Sequence, residues 1–300
     1  TPQMGRAMVY SWVSLAFTIG ALMSTMVAAQ TLPIWPGWRS QYWIAAGLGA
    51  FTAFVIFIFY RDLSSRVRGE VQQTPEQTAK LTSSTAAESA GAKDAYDDGR
   101  LVYRSPRLWL LSLVIVFWSL TYVTVSAYVP TFLTQHYHLE PARAASITSY
   151  FWIVFTFSVF ISGWLSDRLR VRKTVIAFGG LTTGGCFIIG GNLPLDTPET
   201  TLMIMWSATG FFAGFIYPAW CAMYSETAEE ISPHGVGRAF GITATLSPLA
   251  GLVLNLGLPQ VVVIWGWSTW MVIAGFCCFC VTALVGVGRG PWLPALARPK

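Results

Sequence analysis

The chain reads as an all-α integral membrane protein, a bundle of helices that crosses the bilayer many times. Three observations predict it. Hydrophobic residues make up 54% of the 300 positions and charged ones 11%, too little polar surface for a water-soluble domain of this size. The apolar residues gather in eight runs, each close to the ~20 residues a helix needs to span hydrocarbon. No run alternates in hydropathy with a period of two, as a barrel strand would.

Taken in order, the first run (7–29) follows Gly5-Arg6 and sets Tyr10, Ser14 and Thr18 on one helical face. The second (42–60) opens after Gly37-Trp38. The polar stretch behind it is rich in Ser, Thr and Ala, poor in aromatics and balanced in charge, so it cannot bury a core. It is expected to be a flexible linker. The third run (108–133) lines up Trp118, Tyr122 and Ser126, and the fourth (144–165) lines up Ser149, Trp152 and Thr156. The fifth is 174–191. The sixth (201–224) carries Trp206, Thr209, Tyr217 and Trp220 near one face, with Pro218 placed to kink or unwind it. The seventh (239–258) carries Thr243, Ser247 and a second such proline, Pro248, and the eighth spans 267–287.

Eight spans return the chain to the side on which it starts. Arg39 and Arg143 are the basic residues of one side, and the other holds the rest, four of them in the short turn 168–173. The positive-inside rule makes that side cytoplasmic, with both ends on it, and a cell (plasma or inner) membrane is the expected location. The net charge of +5 is then a topology signal, and no nucleic-acid partner is expected.

No catalytic or metal chemistry is apparent. Cys186, Cys221, Cys277, Cys278 and Cys280 all lie inside spans, where apolar packing explains them. His136 and His138 sit in a loop without a third ligand, and Ser166-Asp167 has no histidine near it in sequence. The chain is expected not to be an enzyme and to need no cofactor.

The sequence also repeats itself. Gly5-Arg6-Ala7 opens one span and Gly37-Trp38 the next; Gly237-Arg238-Ala239 and Gly266-Trp267 do the same near the other end, at similar spacing. Parallel repeats related by an axis along the membrane normal are a transporter signature. The turn Gly163-Trp164-Leu165-Ser166-Asp167-Arg168-Leu169-Arg170-Val171-Arg172-Lys173 then resembles the loop motif of the major facilitator superfamily, Gly-x-Leu-Ser/Ala-Asp-Arg-x-Gly-Arg-Arg/Lys. Gly163, Leu165, Ser166, Asp167, Arg168, Arg172 and Lys173 match; Arg170 stands in place of Gly and Val171 in place of Arg.

The resemblance implies a twelve-helix fold of which this chain supplies helices five to twelve. Residues 1–61 would be the last two helices of the first bundle, 62–106 a cytoplasmic linker, 107–290 the six-helix second bundle and 291–300 a cytoplasmic tail. It also implies a role for the turn. Gly163 lets two helices approach closely, and Asp167 is expected to meet the start of the helix at Gly5-Arg6, latching the cytoplasmic side shut. Arg168, Arg172, Lys173, Arg6 and Arg238 are grouped with that gate.

For the solute path, Trp118, Tyr122, Ser126, Trp206, Thr209, Tyr217, Trp220, Thr156 and Thr243 are the candidate lining. Aromatic rings with polar edges suit a partly wet cavity, although rings also belt membrane interfaces and hydroxyls also join helices. No Asp, Glu, Lys, Arg or His lies in the body of any span, so no coupling carboxylate is visible. The expected function is a secondary active transporter of a small solute, such as an organic acid, with a proton as candidate coupling ion. The glycine-proline pattern of family exporters is absent from 7–29, which favours uptake by a permease or symporter over drug efflux. A membrane sensor built on the transporter fold is the alternative from another class.

Overall fold

The structure, a computed structural model, describes residues 5–60, 100–232, 235–288 and 290–293. Most of the expected linker and tail lies outside the described residues. Helix α1 (Arg6–Thr31) and α2 (Trp38–Phe59) come first. α3 (Pro106–Val123) runs through a π turn (Thr124–Tyr128) into α4 (Val129–His136). α5 (Pro141–Leu169), α6 (Lys173–Gly190), α7 (Glu199–Ala213), α8 (Tyr217–Ile231) and α9 (Val236–Val285) follow.

Among the described residues, seven helical segments are long and apolar enough to cross a membrane, and the last of them is two helices joined at Gly266, which gives eight candidate crossings. α3 and α4 form one interrupted span, as do α7 and α8. α9 has 50 residues, about 75 Å if straight, more than twice the hydrocarbon thickness. It therefore turns back on itself. The turn is at Gly266, with φ 81° and ψ 171°, a backbone that side-chain-bearing residues rarely adopt.

Each interruption has a chemical cause. Pro130 has no N–H to give the carbonyl of Ser126, and the chain widens into a π turn just before it. Pro218 likewise cannot bond back to Gly214, and α7 ends at Ala213. Ser158 and Ser162 of α5 donate to the carbonyls of Phe211 and Phe215 at this break. Backbone acceptors inside a membrane need such partners. α9 keeps helical backbone angles through Pro248 and Pro259, so Pro248 does not unwind it, and its departure from helical angles is at Gly266.

The core lies in the second group of helices, where α9 packs along α3 and α6, and α7 along α5 and α6. Trp152, Trp206, Trp220, Tyr224, Phe132, Phe155 and Phe187 are its largest fully buried side chains. In a bilayer such packing is driven by close contact and hydrogen bonds more than by release of water. α2 buries none of its side chains and leans lightly on α1, whereas α1 lies along α5 and touches α8. That α1 contact carries the functional geometry.

Candidate functional site

α1 begins without a side chain to cap it. Its N-cap is Gly5, held at φ 89°, so its first amides have no local acceptor. Asp167, near the end of α5, supplies one: Oδ1 accepts from Ala7 N at 3.3 Å and Oδ2 from Met8 N at 2.9 Å. A carboxylate there meets both free N–H groups and the positive end of the helix dipole. Close approach permits it, because a Cβ on Gly163 would lie 2.2 Å from Ser11 Oγ and 3.0 Å from the Ala7 carbonyl oxygen. Ser11 donates to Val159 O of α5 at 2.9 Å.

Arg172 ties this contact to a third helix. Its Nη1 donates to Asp167 Oδ1 at 2.5 Å and to Ser166 Oγ at 2.9 Å, and its Nη2 donates to Glu226 of α8 at 3.1 Å. One turn further along α8, Glu229 accepts from buried Arg6 at 2.9 Å. Asp167, Arg172, Glu226, Glu229 and Arg6 thus join α1, α5, α6 and α8 at one membrane face. Charge-assisted bonds are the stronger kind, and burial leaves the Asp167–Arg172 pair the least screened, whereas Glu229 stays partly open to solvent.

The other residues grouped with the gate have other partners. Lys173 is buried, donates to Gly286 O at 3.4 Å and sits over the Trp292 ring at 5.4 Å. Arg168 is exposed over Trp164 at 5.0 Å. Arg238 is half-buried at the start of α9. Arg170, where the motif has Gly, takes φ 54° and ψ 31° as C-cap of α5. A left-handed non-glycine residue costs about 1 kcal/mol. Arg170→Gly is therefore expected to stabilise the protein by up to about 1 kcal/mol, read as a higher midpoint of thermal unfolding in detergent.

Further into the membrane lies a cavity of about 500 Å³. Trp118 and Tyr122 of α3, Tyr217 and Trp220 of α8, and Thr243 of α9 line it, so five predicted lining residues come together. Ser119, Phe240, Ser247 and, from α1, Phe17 complete much of the wall, and none of its lining residues is charged. Ser119 and Ser247 bridge α3 and α9 at 2.5 Å.

Four predicted lining residues lie elsewhere. The π turn shifts the register past Tyr122, and Ser126 faces a separate gap of about 330 Å³ with Ser24 and Thr25. The break after Ala213 splits the expected face of the sixth span. Trp206 is left buried against Phe132 and Phe187, and Thr209 is buried and bonded to Met205 O. Thr156 bonds to Trp152 O on α5 and does not line this cavity. Phe17, Glu226 and Glu229 join this geometry although the sequence does not single them out. Three acids, Glu226, Glu229 and Glu230, at the end of a span with an uncharged body were the available signal.

The two ends of α1 differ. Near Asp167 it is pressed against α5 and α8. Its far half leaves gaps of about 450 and 330 Å³ against α4 and α5, lined by Gln30, Arg143 and Ser149 in one and Thr25, Ser126 and Thr131 in the other. Among the described residues no three His, Cys, Asp or Glu converge to hold a metal ion.

Known proteins share these features. Residues 1–190 and 132–296 match the profile of the Major Facilitator Superfamily. The chain is 34% identical over 90 residues to the nitrite extrusion protein of Bacillus subtilis, covering 30% of this chain and 23% of that protein. It is 27% identical over 154 residues to the probable nitrate/nitrite transporter NarK2 of Mycobacterium tuberculosis, covering 49% and 36%. To the membrane sensor protein UhpC of Escherichia coli it is 25% identical over 191 residues, covering 60% and 40%. The chain thus spans well under half the length of each of these relatives. With the family profile matching most of its residues, and seven helices among the described residues long and apolar enough to cross a membrane, the chain belongs to the Major Facilitator Superfamily as a multi-pass membrane protein.

Proposed function

We propose that the chain is the working part of a secondary active transporter that moves a small solute by alternating access, with the Asp167 face and both ends cytoplasmic. The observation that carries this reading is the seat of the Asp167 carboxylate on the first amides of α1. A carrier that rocks one group of helices against another must make and break such a contact in every cycle. Here it is charged, part-buried and confined to one end of α1, while gaps open along the other end. The solute class we expect is an organic acid or similar metabolite taken up with a proton; nitrate and nitrite, the ions in two relatives' names, come next. The uncharged cavity wall leaves any charge on the solute to be met by hydroxyl and indole donors or by groups beyond this wall.

A second reading follows from the sensor among the relatives: binding that signals without movement. Proteoliposomes loaded with this solute panel, with and without an imposed pH gradient, decide between them. Saturable flux supports the carrier. Saturable binding with no flux overturns it in favour of the sensor.

The Arg6–Glu229 pair makes a smaller prediction. Glu229→Gln is expected to slow flux only about threefold, because Glu229 is 41% exposed and its pairing is screened. Adding charge back in reverse, as Arg6→Glu with Glu229→Arg, should recover part of the loss. Equal flux in all three proteins would remove the pair from the latch.

A further inference from the structure

We propose that the aromatic box in the cavity wall is the seat of a flat ring on the ligand, and that Phe17 competes with that ring for it. Phe17 is the one side chain that α1 contributes to this wall. It meets three rings of the second helix group edge to face: Tyr217 at 5.2 Å and 81°, Tyr122 at 5.9 Å and 82°, and Trp118 at 6.2 Å and 75°. These three rings hold one another. Trp118 stacks on Tyr122 at 5.3 Å and packs on Tyr217 at 5.0 Å.

The box is also braced from behind. Trp152 sets its edge on Tyr122 at 5.4 Å, and Trp220, next to Tyr217, is fixed by its own Nε1–H bond to Leu111 O at 3.0 Å. Edge-to-face geometry pairs the positive rim of one ring with the negative face of another. A box that holds a phenyl group in this way selects for a planar π system of similar size. A saturated ring is thicker and lacks the polarised rim. Ring faces also attract cations, but no acid stands among the wall residues to neutralise one. The ring is the occupant for which the box already has an example, in Phe17 itself.

Phe17 belongs to α1, so it leaves the box whenever α1 moves relative to α3 and α8. A ligand ring gains its seat only in the fraction of molecules in which Phe17 is out, and its apparent affinity falls by that fraction. The proposal deepens the transporter reading by naming a chemical feature of the ligand, yet its test needs binding alone.

The purified chain in lipid nanodiscs is titrated calorimetrically with benzamide and with cyclohexanecarboxamide, the heats of empty nanodiscs being subtracted. Benzamide is expected to bind saturably and about fivefold tighter than its saturated twin. Phe17→Ala is expected to tighten benzamide binding about tenfold by removing the competitor. Trp118→Ala should abolish the preference and Trp118→Phe keep it, which separates loss of the ring from loss of the fold. Absent or equal binding of the two amides, tighter binding of tetramethylammonium than of benzamide, or weaker benzamide binding in Phe17→Ala overturns the proposal. Ring preference in a chain that shows no flux would sink the carrier reading and leave the box standing. Flux of a solute without any ring preference does the reverse.

Discussion

Asparagine at position 167 is expected to cut solute flux about tenfold while the protein still reaches the membrane in normal amount. The carboxylate accepts from Ala7 N, Met8 N and Arg172 Nη1, and each of its oxygens is used. An amide keeps one acceptor oxygen and turns a donor toward groups that are themselves donors. At least one partner then loses its bond, and the negative charge at the positive end of α1 is gone. A hydrogen bond to a charged group is worth about 1.5–3 kcal/mol, roughly ten- to a hundredfold in the balance between latched and unlatched states. The effect falls on one conformational state, so folding and insertion are spared. Two readouts check it: initial flux rates in proteoliposomes, and labelling of a cysteine introduced at Met8. The labelling should rise as the latch loosens. Wild-type flux together with wild-type labelling would show that Asp167 fixes topology and nothing more.

Much of this arrangement was legible in the sequence because its causes are local. Length and hydropathy mark eight crossings, Pro218 marks a break, and Gly163 with Asp167 marks a turn that wants a close neighbour and an anion acceptor. What escaped depends on register. The stripe Trp118, Tyr122, Ser126 assumes 3.6 residues per turn throughout, and the π turn at 124–128 rotates Ser126 away. Trp206 and Tyr217 were placed on one face of one helix, yet three residues of broken helix lie between their segments. Glu226 and Glu229 needed knowledge of which distant helix end faces α8. Phe17 needed the same. Its spacing makes it one aromatic among many, and its importance comes from the three rings that α3 and α8 bring around it.

Valine at position 163 is expected to damage the protein more than any change to the charged groups, with flux reduced to background. The reason is distance. A bare Cβ already falls 2.2 Å from Ser11 Oγ and 3.0 Å from the Ala7 carbonyl oxygen. Alanine can be fitted if the Ser11 hydroxyl rotates away and gives up its bond to Val159 O, a cost of about 1 kcal/mol. Valine adds two methyl groups to a Cβ that already lies 3.0 Å from backbone, which cannot rotate away, so α1 must move outward as a unit. That movement draws Ala7 N and Met8 N off Asp167 and Arg6 off Glu229, breaking together the bonds that tie α1 into the latch. The steric cause is separable from a general folding defect by a double-mutant cycle. Ser11→Ala removes the first clashing atom, so it should restore most of the flux lost in Gly163→Ala and none of that lost in Gly163→Val. If Ser11→Ala rescued neither variant, contact between α1 and α5 at this point would not be what glycine secures.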